Sequence, residues 1–82
     1  MKKGRRMMEK LLQILEGLHP DVDFLQVEDL YEEGILDSLD MVRLVTEINR
    51  EFDLSVPAEE LRPENFQNVK TIFAMIERLD EE

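Results

Sequence analysis

"LDSLDMVRLVTEINREF", residues 36–52, reads as one helix with a marked start and a marked end. Val42, Val45, Ile48 and Phe52, with Leu44, recur at helical spacing and supply one apolar face. Asp37 is a good N-cap, and Asp40, at the third helical position, favours the positive end of the helix dipole. Asp53 and Pro57 are stop signals. The register turns Val42, Val45 and Ile48 inward and Met41 outward. Arg43 then projects from the exposed side, either to pair with Glu47 four residues on or to be read by a partner. Ser38 falls in the first turn, where free backbone N–H groups and the dipole favour an anion.

Upstream, Met7, Met8, Leu11, Leu12, Ile14, Leu15 and Leu18 form a wide helical stripe that Gly17, His19 and Pro20 end. Residues 21–36 have no sustained period and read as a long loop, either functional or pinned by its own apolar residues. Downstream, "AEELRPENF" accommodates only short helical turns around Pro63. Residues 68–79 predict a last helix, with Val69, Ile72, Phe73, Ile76 and Leu79 inward and Asn68 as its cap. Short "LSV" has strand character but no partner strand. The expectation is an all-α, small four-helix bundle: three main helices, one short helix and a long first loop. One small domain spans residues 1–82, with residues 1–6 as a flexible basic extension and 7–80 as the bundle.

Composition narrows the function. Eighty-two residues leave no second domain to frame a deep cleft, and with no cysteine there is neither a disulfide framework nor a thiolate metal site. No apolar run approaches the ~20 residues of a membrane span. "MKKGRR" resembles the basic start of a signal peptide, but Glu9, Lys10 and Glu16 interrupt the apolar residues after it, so a cytoplasmic protein is expected. Five of the ten basic residues lie in the first ten positions, so residues 11–82 hold five basic against nineteen acidic residues, a net of −14. That potential repels nucleic acid and anionic membrane and attracts basic protein surfaces. We therefore expect no nucleic acid, no membrane insertion, and a monomer that meets basic partners.

Catalytic readings fail on residue types. Asp21, Asp23 and Glu32 match positions 1, 3 and 12 of a calcium loop, but Leu25 and Gln26 stand where an oxygen ligand and a glycine are required. Ser38 lies in "LDSLD", not in a nucleophile elbow, and the lone histidine, His19, reads as a solvent-facing residue at a helix end. No metal site and no catalytic residue are expected. Ser38 stands apart as an accessible hydroxyl at a helix start after a long loop.

"GILDSLDMVRLV" resembles the attachment motif of acyl carrier proteins, "REFDLSVP" is similar to the segment beyond it in that family, and "NVKTIFAMIERL" resembles the closing helix. The match covers about residues 8–80 in order. The resemblance implies that Ser38 receives 4′-phosphopantetheine from coenzyme A through a phosphopantetheinyl transferase, and that the thiol of that arm carries an acyl or aminoacyl thioester. Asp37, Leu39, Asp40, Met41 and Arg43 would flank the site and meet partners. "LYEEGILDSLD" and "LRPENFQNV" look like the D-alanyl carrier branch, loaded by an adenylating ligase or acyltransferase. Leu39 and Asp40 also match fatty-acid carriers, which keeps a fatty-acid or specialised acyl carrier as the alternative. An unmodified helical interaction module, with Ser38 only as a helix start, is the reading from another class.

Overall fold

The computed structural model describes residues 2–80, and their side chains from residue 6 onward. Three helices form: α1 (Lys2–Leu18), α2 (Ser38–Phe52) and α3 (Val69–Asp80). Two single 3₁₀ turns, Ala58–Glu60 and Pro63–Phe66, stand where one short helix was expected. The reason is Pro63: it holds Arg62 extended, at φ −124 and ψ 149, which breaks the segment in two. No strand occurs among the described residues, so the all-helical bundle stands.

α1 is longer than its apolar stripe. Lys2–Arg6, expected as an extension ahead of the bundle, have helical backbone; Met1 lies outside the described residues. α2 begins at Ser38 because the Asp37 carboxylate accepts the Asp40 amide at 2.8 Å. It ends at Asp53, whose φ of 55 is left-handed, with the amides of Asp53 and Leu54 returning to Asn49 O. Asn68 caps α3 by accepting the Thr71 amide at 3.0 Å.

The core draws on all three helices and the second 3₁₀ turn: Leu11 and Leu15 of α1, Leu44 and Ile48 of α2, Phe66, and Val69, Ile72, Met75 and Ile76 of α3. Phe24, Leu30 and Leu36 add the long loop, and all three are buried. Leu30 is the loop's anchor. Its amide donates to Gln67 O at 2.6 Å, and its carbonyl accepts the amides of Ile35 and Leu36. A turn capped by the Asp29 carboxylate, which accepts the amides of Tyr31 and Glu32, and Gly34 at φ +74 complete the path to Ser38.

α1 and α2 pack antiparallel. Lys10 reaches Glu51 at one level, and His19 meets Asp40 at another. The face that α2 turns inward differs from the expected one at Val42 and Met41 only. Met41, Leu44, Val45, Ile48 and Phe52 pack on the core, whereas Val42 is 63% exposed. The Val42–Val45–Ile48 series advances only by threes and drifts around the helix. The Met41 series alternates threes and fours and stays on one side. Met41 is therefore half-buried, not outward.

Candidate functional site

Ser38 is the first residue of α2 and is exposed. Its hydroxyl has no hydrogen-bond partner among the described residues. Asp37, also exposed, uses its carboxylate on the Asp40 amide, so one first-turn donor is occupied. The amides of Ser38 and Leu39 precede the intrahelical ladder and remain available to an anion on the serine. Leu39 is exposed at 60%, which places an apolar side chain directly beside the hydroxyl.

His19 does not face solvent freely, as the sequence had suggested. Its Nε2 lies 2.9 Å from Asp40 Oδ2, and the pair ties the end of α1 to the first turn of α2. Asp40 is consequently the less exposed partner, its side chain 15% accessible. The acidic start of α2 is thus partly engaged within the molecule, leaving Asp37 as its open carboxylate.

Arg43 is exposed, and the expected pair with Glu47 is absent: Glu47 is taken by Arg50. Among the described residues Arg43 has no ion-pair partner. It projects as a free cation one turn beyond Ser38.

A groove of about 300 Å³ opens beside Ser38, lined by Tyr31, Met41, Val42, Val45, Thr46 and Leu61. Sequence reading missed Tyr31 and Leu61 as site residues. Only tertiary packing brings the loop and the first 3₁₀ turn against α2. The signal was Leu61 itself, an apolar residue between Glu60 and Arg62 at the end of the first 3₁₀ turn, which is left 42% exposed. Among the described residues no group of three or more acidic or histidine side chains is placed to hold a metal.

The arrangement offers no nucleophile–base pair: the one histidine is spent on Asp40, and the serine hydroxyl is unaided. What it offers is a reachable hydroxyl, a helix start that tolerates a phosphate, and an apolar channel alongside. A family model described as a phosphopantetheine attachment site matches residues 5–79. This chain belongs to that carrier family. It is similar to a D-alanyl carrier protein of Lactococcus lactis subsp. cremoris, 32% identical over 78 residues that cover 93% of this chain and 99% of the relative. A D-alanyl carrier protein of Streptococcus suis is 33% identical over 72 residues, covering 87% and 91%. The carrier is therefore placed with the D-alanyl branch, and it bears 4′-phosphopantetheine as an acyl or aminoacyl carrier. It has no catalytic task of its own; other enzymes act on it. The cofactor supplies a thiol that holds the cargo as a thioester, which is why the protein needs no catalytic side chains.

Proposed function

We propose that Ser38 is the attachment residue and that the cargo is D-alanine or a closely related aminoacyl group. One observation carries the assignment: the Ser38 hydroxyl is exposed and without a partner at the first position of a capped helix. Ser55, the other serine, lies in the connection after α2 with no helix start beside it. The phosphodiester on Ser38 would lie against the first-turn amides of α2, and the arm has the groove of Tyr31, Met41, Val42, Val45 and Leu61 to rest in.

Asp37, Leu39 and Arg43 form the exposed surface that partners read, while Asp40 and Met41 act from positions half-covered by His19 and the core. The partners are a phosphopantetheinyl transferase that uses coenzyme A and an adenylating ligase that supplies the cargo. The names of the relatives support D-alanine. No described helix is long and apolar enough to cross a membrane. The carrier works with these enzymes as a monomer in the cytoplasm.

The test is direct. Incubation with coenzyme A and a broad-specificity transferase should add one phosphopantetheine to the intact mass. Ser38→Ala should fold as wild type and gain none. A full mass gain in Ser38→Ala sinks the assignment. Loaded forms are then offered to a D-alanine-activating ligase and to a fatty-acyl ligase. Faster loading by the fatty-acyl ligase overturns the cargo while leaving Ser38 in place.

A further inference from the structure

The groove beside Ser38 has walls that are held in two different ways. Tyr31, Met41 and Val45 pack on the core, and Val42 and Thr46 ride on the same helix as Met41 and Val45. Leu61 is the exception. It closes the first 3₁₀ turn, a turn with no buried residue, and is exposed rather than packed on the core. Between Val56 and Phe66 no residue is buried. Burial therefore does not keep Leu61 in the wall, and a polar interaction has to.

Glu60, the residue before it, supplies that interaction. Its Oε1 accepts the guanidinium of Arg78 from the last turn of α3 and Asn65 Nδ2, at 3.0 Å, from the second 3₁₀ turn. Asn65 Nδ2 also donates to the Glu60 carbonyl at 2.7 Å. The Glu60 side chain is only 17% accessible, whereas the neighbouring acids Glu59 and Glu64 are exposed. A carboxylate covered to that degree depends on its donors. Beyond Leu61, Arg62 turns back and donates its Nε to Glu59 O at 3.0 Å. Contacts of this kind near the surface are individually weak, so a segment held by them alone opens far more readily than the core.

We propose that Glu60 is a positioning residue for the phosphopantetheine arm. Latched on Arg78 and Asn65, it keeps Leu61 in the wall of the groove where the arm rests, and release of the latch frees the arm for a partner enzyme. The inference rests on the reading of Ser38 as the attachment residue, since Ser38 itself lines this groove. Opening requires no unfolding, because no core residue lies in the segment that moves. A role for Glu60 in stability alone would act on α3 and the second 3₁₀ turn; the positioning role acts through Leu61.

Two measurements separate the latch from the arm. In the unmodified chain, Leu61 and Arg62 donate their amides to Ala58 O and Glu60 O. Glu60→Ala should quicken exchange of both by about two- to fivefold, the weight of one partly exposed ion pair. Arg78→Ala, which removes the other partner, should do the same, while the amides of Leu44 and Ile48 keep their wild-type rates. Glu60→Gln retains an acceptor oxygen for both donors and should restore most of the protection. In the phosphopantetheine-bearing chain, the thiol should react with a bulky maleimide faster in Glu60→Ala and in Leu61→Ala, and near the wild-type rate in Glu60→Gln. The double variant should react no faster than Leu61→Ala, because the effect of Glu60 passes through Leu61. Unchanged exchange at Leu61 in Glu60→Ala, wild-type thiol rates in both single variants, or additive rates in the double variant would each overturn the proposal. A phosphopantetheine mass gain in Ser38→Ala, whose latch is intact, overturns the attachment reading and with it the arm as the occupant of the groove.

Discussion

At the scale of single residues, the site is a helix cap, a histidine–aspartate contact and one exposed cation. The Asp37 cap and the position of Ser38 were legible in the sequence because capping is local: a short acidic side chain, then an apolar helix. The His19–Asp40 contact was not, since it joins residues 21 positions apart and exists only once α1 and α2 lie antiparallel. A histidine ending one helix and an aspartate opening the next were its only trace. Arg43 is the cation with consequences. Glu47 is held by Arg50, which removes the simple explanation of Arg43 as half of a helix-stabilising pair. An exposed cation there meets a partner's basic patch with like charge and a partner's acidic patch with opposite charge. Arg43→Glu should therefore speed loading by a fatty-acid-type partner and slow loading by the cognate ligase, by about 0.2–1 kcal/mol each and mainly through on-rate. Fold stability should stay unchanged. Loading rates within error of wild type at low salt would remove Arg43 from recognition.

At the scale of elements, the long loop behaves as a fourth packing layer. Its length marked it as functional or pinned, and the structure shows the pins: Phe24, Leu30 and Leu36 are as buried as helix residues. Sequence periodicity could not rank these scattered apolar residues, because outside a helix or strand there is no period to select a face. α2 shows the complementary failure. Its existence and both ends were readable, but its inward face shifted from Val42 to Met41, since a stripe built on threes alone drifts off the core. Leu30 carries the loop by side chain and by backbone, so Leu30→Ala should cost about 2–5 kcal/mol. Stability totals of 5–15 kcal/mol are typical, and a domain this small belongs near the lower end. Leu30→Ala should therefore melt far below wild type in thermal or urea unfolding, whereas Leu25→Ala, at an exposed loop position, should stay within about 0.5 kcal/mol. A mild effect at Leu30 would mean the loop is held by its hydrogen bonds alone.

At the scale of the whole molecule, charge is uneven: five of the ten basic residues lie in the first ten positions, and residues 11–82 carry a net −14. Like-charge repulsion then acts within each region. Screening relieves both repulsions, so added sodium chloride should raise the melting temperature. Each 1 kcal/mol of relieved repulsion is worth about 4–8 °C in a domain of this size. Millimolar magnesium should do the same at lower ionic strength, because divalent ions gather more strongly around an acidic surface. Magnesium and calcium should act alike, since the rise comes from diffuse screening. The acidic residues closest to a calcium-loop pattern, Asp21, Asp23 and Glu32, are exposed, and the Asp23 carboxylate accepts the Leu25 amide. A variant with Lys2, Lys3, Arg5 and Arg6 all replaced by glutamine separates the two repulsions. Losing its basic cluster, it should start from a higher melting temperature, and its remaining salt response should report the acidic body alone. A saturable one-to-one calcium isotherm, with calcium far above magnesium in effect, would replace screening by a discrete site in the loop.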